Sequence, residues 1–201
     1  FEGMTDLMFD GLTMRQAIGP VVWPLEPEKI ARRFDEIPQA DVDATVAAER
    51  ARYTVEMEAA LFERSVRLAL ALESVLKERG FDAFTAFDQV WLTDPRVGII
   101  PSYGTGRLCE IGIPASPEGD VNTAVAQLIL QELAGQATTL ENYVIDFDNQ
   151  AVMFSHDGHG NPALGTRGAV KVKHSIYYHG AHGFGAGFEF AYEPGPITNL
   201  A

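Results

Sequence analysis

Apolar residues recur at three- and four-residue steps through Leu61, Phe62, Ser65, Val66, Ala69, Leu72, Val75 and Leu76, the period of an amphipathic helix. Lys77 and Arg79 fall in its last turn and Gly80 just past it, which predicts where the helix stops. Upstream, Pro27 suits the first turn of a helix running through Ile30 and Phe34. Asp41 or Asp43 is placed to cap an Ala-rich second helix. Short apolar runs at 81–87, 97–101 and 111–115 read as buried strands, with a helix over 103–110 between the last two. A further helix spans 121–133, with Val125, Leu128, Ile129 and Leu133 on one face, Asp120 as its cap and Gly135 at its end. Strands alternating with helices at this spacing predict a parallel α/β sheet.

The texture changes after Gly135. Residues 151–155, 169–178 and 184–192 are β-rich, and the last alternates with period two through Phe184, Ala186, Phe188, Phe190 and Tyr192. Gly and Pro punctuate these runs and no helical pattern appears, which predicts an antiparallel sheet or barrel. The chain is therefore expected to divide into an α/β part over 1–135 and an antiparallel β part over 136–201.

Composition narrows the function classes. With 15 Lys+Arg against 28 Asp+Glu in 201 residues, the formal charge is −13. Such a surface repels phosphate backbones and argues against a nucleic-acid partner. No apolar stretch is long enough to span a bilayer and the first residues lack a basic-then-apolar signal pattern, so no membrane partner is expected. A lone cysteine, Cys109, fits a reducing compartment and hence a cytoplasmic setting. The acid excess does suit carboxylate-held divalent cations. All five histidines, His156, His159, His174, His179 and His182, crowd into the last quarter of the chain. The chain opens on Phe1 rather than methionine and stops after an apolar run at Ala201, so it reads as a piece of a longer protein.

Three residues stand out as candidate ligands. Glu118 follows a predicted strand, where open α/β sheets place ligands; it reads either as a ligand or as an acid complementing the dipole of the next helix. Glu141 lies at the start of the β part, where a lone glutamate is ordinarily a solvated surface residue. His156 ends an apolar run beside glycines, as a turn residue or as a ligand whose loop needs close backbone approach. Two carboxylates with an imidazole suit Mn²⁺ or Mg²⁺ better than a structural zinc.

The run Leu76-Lys77-Glu78-Arg79-Gly80-Phe81-Asp82-Ala83-Phe84-Thr85 resembles the corresponding stretch of L-arabinose isomerases. So, in order and at similar spacing, do Glu118-Gly119-Asp120, Leu140-Glu141-Asn142-Tyr143 and Val152-Met153-Phe154-Ser155-His156, with Pro162 six residues beyond the histidine. Glu118-Gly119-Asp120-Val121-Asn122 and Pro194-Gly195-Pro196-Ile197-Thr198 are similar to the L-fucose isomerases of the wider group. The resemblance covers most of the chain. It implies a Rossmann-like central domain followed by an incomplete β-barrel-like domain, belonging to an aldose–ketose isomerase that uses Mn²⁺ or another divalent cation such as Mg²⁺ or Co²⁺. It further implies Glu118 and Glu141 as catalytic proton carriers and, with His156, as metal ligands. Phe87 is implied at the sugar, and a fourth ligand, a histidine, beyond Ala201. The implied partners are a small sugar and further copies of the chain, as trimers or hexamers.

This sequence also departs from the arabinose isomerase pattern. Val121-Asn122 replaces a bulkier and a basic residue, and Asp157-Gly158-His159-Gly160-Asn161 replaces a stretch with apolar residues and a cysteine. The resemblance implies that those positions shape the sugar pocket. His159, His174, His179 and His182 take no role from the resemblance, His159 being the nearest to His156. Two other functions compete: a relative that binds sugar or metal without turnover, and a metal-dependent hydrolase. The hydrolase is disfavoured because no Arg cluster accompanies the carboxylates.

Overall fold

The structure is a computed structural model that describes residues 7, 9–166, 168–175 and 184–195. Among these residues it is a mixed α/β fold with six α-helices and three small sheets, and no barrel closes. The helices are α1 (Gly11–Ile18), α2 (Pro27–Glu36), α3 (Gln39–Arg52), α4 (Ala59–Arg79), α5 (Ser102–Glu110) and α6 (Val121–Ala134). The strands are β1 (Thr54–Val55), β2 (Phe84–Thr85), β3 (Ala115–Ser116), β4 (Glu141–Asp146), β5 (Ala151–Ser155), β6 (Lys171–His174) and β7 (Ala186–Glu189).

Helix α4 organises the core, because its apolar residues cover more than one face. Leu68, Ala71, Leu72, Val75 and Leu76 join Ile30, Ala31 and Phe34 of α2 and Leu108 of α5 in one cluster. Phe62, Val66 and Ala69 join Val42, Tyr103, Val172, Ala186 and Phe188 in a second. The helix ends as its sequence predicts: Gly80 adopts φ 64°, and its N–H reaches the carbonyls of Leu76 and Lys77. Helix α3 begins earlier than Asp41 or Asp43 would set it. Pro38 is the N-cap residue, and Asp43 instead accepts a hydrogen bond from Gln39 Nε2 at 2.7 Å.

The predicted strands are mostly shorter than their apolar runs. β2 and β3 pair in parallel over two residues each, Phe84 opposite Ala115 and Thr85 opposite Ser116. The 97–101 run makes no strand. Gly98 takes φ 60° and its N–H turns back to the Asp94 carbonyl at 2.8 Å, while Val97, Ile99 and Ile100 are buried without a ladder. In the second half, β6 pairs antiparallel with β7 and in parallel with β1, a mixed sheet lying against α4 and α5. β4 and β5 form an antiparallel hairpin with a register shift between Asn142 and Val144. Its turn is tied by the Asp146 carboxylate, which accepts N–H bonds from Asp148 and Asn149 at 3.1 and 3.0 Å. His179, His182 and the run at 196–198 lie outside the described residues.

Candidate metal centre

Glu118 owes its position to a four-residue connection between β3 and α6, Pro117 to Asp120. Asp120 caps α6, accepting the Thr123 N–H at 2.9 Å and the Thr123 hydroxyl at 2.6 Å, so Pro117 to Gly119 must turn abruptly. Glu118 and Gly119 do so with consecutive left-handed conformations, φ 63° and 77°. Left-handed backbone costs a non-glycine residue about 1–2 kcal/mol. Two bonds hold the turn there: Gly119 N–H donates to the Ala86 carbonyl at 2.9 Å, and Glu118 N–H donates to Asp88 Oδ1 at 3.4 Å. Glu118 therefore stands, half-buried, at the carboxyl end of the parallel β2–β3 pair. Strain at such a place is a common mark of a functional residue.

Glu141 and His156 meet through the hairpin. Glu141 opens β4 directly opposite Ser155, the last residue of β5, and His156 follows. One ligand atom from each of Glu118, Glu141 and His156 lies within 4.8 Å of the others. Atoms about 2.1 Å from a shared cation are about 3.0 Å apart when adjacent and about 4.2 Å when opposed. Small side-chain rotations would thus bring the three onto one ion. Glu118 and His156 are half-buried and Glu141 is exposed.

The donor set fits a hard or borderline divalent cation such as Mn²⁺, Mg²⁺ or Co²⁺. Burial, reinforced by the neighbouring His159, pulls the His156 pKa down to about 4 against the opposing effect of Asp88. The ring is neutral at neutral pH, as a ligand must be. Its Nδ1 is buried and finds no hydrogen-bond partner among the described residues. The one thiol belongs to a different environment: Cys109 is fully buried, its sulfur accepts the Ala115 N–H at 3.3 Å, and burial pushes its pKa up to about 12.

Other residues of interest fall around the centre. Phe87 is half-buried and directly precedes Asp88, which opens a 3₁₀ turn over Asp88–Trp91. A cavity of about 220 Å³ opens beside His156, bordered by Lys173 and Ser175 from the β6 side and Glu189 of β7. His174 is turned to Glu58, its Nε2 2.7 Å from the carboxylate.

Sequence reasoning left Asp88, Ser102, Thr105 and Ser175 unassigned, and gave His159 no role. The structure gathers them into a buried polar network beside His156. His159, only 4% exposed, has Nδ1 2.7 Å from Thr105 Oγ1 and Nε2 3.1 Å from both Ser102 Oγ and Asp88 Oδ2. Ser175 Oγ donates to Ser102 Oγ at 2.8 Å. The available signal was the His-x-x-His spacing of His156 and His159 together with an acid next to Phe87.

No protein-family model and no curated protein matches this chain. Among the described residues, no helix is long and apolar enough to cross a membrane.

Proposed function

We propose that this chain carries the greater part of the divalent-metal centre of an aldose–ketose isomerase of the L-arabinose/L-fucose isomerase type. The observation that supports it is the convergence of Glu118, Glu141 and His156, residues distant in sequence and singled out by the resemblance. In this reading the chain forms a Rossmann-like central domain and the start of a barrel-like domain, works in the cytoplasm, and assembles as a homotrimer or hexamer.

Isomerisation moves a proton from C2 of the aldose to C1, while the hydroxyl proton passes from O2 to O1. A bound divalent cation supplies electrostatic stabilisation of the oxygens during that exchange. Glu118 and Glu141 are the proton carriers: one carboxylate takes the carbon-bound proton, and a proton is returned to the neighbouring carbon. Their unequal exposure gives them different surroundings, the condition under which two like groups divide base and acid roles. Phe87 would offer an apolar wall to the sugar carbons.

The test is turnover by the complete protein with Mn²⁺ across L-arabinose, L-fucose and related L-aldoses. Turnover on at least one sugar is expected. Glu118→Gln or Glu141→Gln should lower kcat by about 10²-fold or more, the range of a lost general acid or base. Metal uptake with sugar binding but no isomerisation would instead favour a binding relative. The replaced segment after His156, with its buried polar His159, gives that second reading its substance.

A further inference from the structure

We infer that Asp88 and His159 are the positioning residues of the Glu118–Glu141–His156 centre, an assignment that rests on that centre holding a divalent cation. Two of the three ligand residues touch this pair. Asp88 Oδ1 accepts the Glu118 N–H at 3.4 Å, within the left-handed turn that aims the Glu118 side chain. The other oxygen of the same carboxylate lies 3.1 Å from His159 Nε2. The His159 ring then meets the His156 ring edge to face, centroids 5.2 Å apart and planes at 82°. One carboxylate and one imidazole thus link the loop after β3 to the loop after β5.

The pair is itself held rigidly. Thr105 Oγ1 lies 2.7 Å from His159 Nδ1 and 2.8 Å from the Ser102 carbonyl, which fixes the ring against α5. Backbone contacts that only glycine permits bring His159 to this place. A Cβ on Gly106 of α5 would lie 2.7 Å from the Gly160 carbonyl, and one on Gly187 of β7 would lie 2.8 Å from Gly158 Cα. The 156–160 segment is therefore inserted between α5 and β7, and the buried polar groups waiting there are Ser102, Thr105 and Ser175. A histidine needed only for packing would be satisfied by these hydroxyls. The contact with Asp88, and through it with Glu118, is what a ligand-orienting shell requires.

Mn²⁺ titration of the chain, followed by the electron paramagnetic resonance signal of the free ion, tests this. Wild type should bind, and Glu118→Gln should not. Asp88→Ala and His159→Phe should each raise the Kd for Mn²⁺ about 10–100-fold, the usual cost of losing an outer-shell partner, and alter the spectrum of the bound ion. Asp88→Asn and His159→Gln retain hydrogen-bonding groups, provide folded alternatives, and should recover part of the affinity. Thermal melts of the metal-free variants separate lost fold from lost positioning. If wild type binds and Glu118→Gln does not, while folded Asp88→Ala and His159→Phe keep the wild-type Kd and spectrum, the positioning role is overturned and the centre stands. If wild type takes up no Mn²⁺, the centre falls and this assignment with it.

Discussion

Glu118 is held in a conformation that glycine would adopt without cost, and its side chain there is a residue-level tension in the fold. The φ of 63° is imposed from outside, by the cap of α6 on one side and the bonds to Ala86 and Asp88 on the other. Comparing Glu118→Ala with Glu118→Gly isolates the strain, since both remove the carboxylate and only glycine relieves the backbone. The glycine variant should be more stable than the alanine variant by about 1 kcal/mol in urea unfolding. That is the left-handed penalty less the entropy glycine adds to the unfolded chain. Neither should bind Mn²⁺. A glycine variant less stable than the alanine variant would show that the turn carries no strain. The same feature explains what was readable here: Glu118-Gly119-Asp120 is recognisable as a motif and Asp120 as a cap. The left-handed glutamate is not, because its φ is set by Ala86 and Asp88, partners that follow β2 and are distant in sequence.

At the scale of elements, the helices follow from periodicity and end signals, as Gly80 after α4 and Gly135 after α6 show. The strands are less legible because pairing partners, not the local sequence, decide their length. The 97–101 run has the composition of a strand but is interrupted by a left-handed Gly98, whereas β4 has no clean alternation to announce it. That hairpin has little support from packing. Val144 and Ile145 are each 51% exposed, Met153 53% and Phe147 84%. A two-stranded hairpin on its own is marginally stable in water, yet this one supplies Glu141 and His156. Its backbone amides should therefore exchange with solvent much faster than those of α4 in the metal-free protein. Saturating Mn²⁺ should slow exchange across β4 and β5, because ligation anchors the base of the hairpin to Glu118 and binding stabilises only the ordered form. Mn²⁺ uptake with unchanged hairpin exchange would mean that the ion sits elsewhere.

For the molecule as a whole, the change of texture near residue 136 is clear in the sequence, but the second core cluster crosses it. Phe188 stacks on Tyr103 with centroids 5.1 Å apart and meets Tyr53 edge-on at 5.5 Å, so a ring from β7 is packed among residues of the first 110. Such contacts between distant segments leave no mark in a single sequence; alternation tells that Phe188 faces inward, not what it faces. Because α4 contributes to both clusters, loosening one should be felt in the other. Trp91 offers a natural reporter: it is 3% exposed and belongs to the first cluster, whereas Phe188 belongs to the second. Phe188→Ala should destabilise by about 3–5 kcal/mol, the range for deleting a buried phenylalanine. Made in a Trp23→Phe background, which removes the 65%-exposed tryptophan, the variant should shift the Trp91 fluorescence midpoint in urea together with the far-ultraviolet circular dichroism midpoint. A Trp91 transition that stays at its parent midpoint while the dichroism signal moves would mean that the two clusters unfold independently. The candidate centre draws Glu118 from one side of residue 136 and Glu141 and His156 from the other, so its geometry would then not be fixed by the shared core.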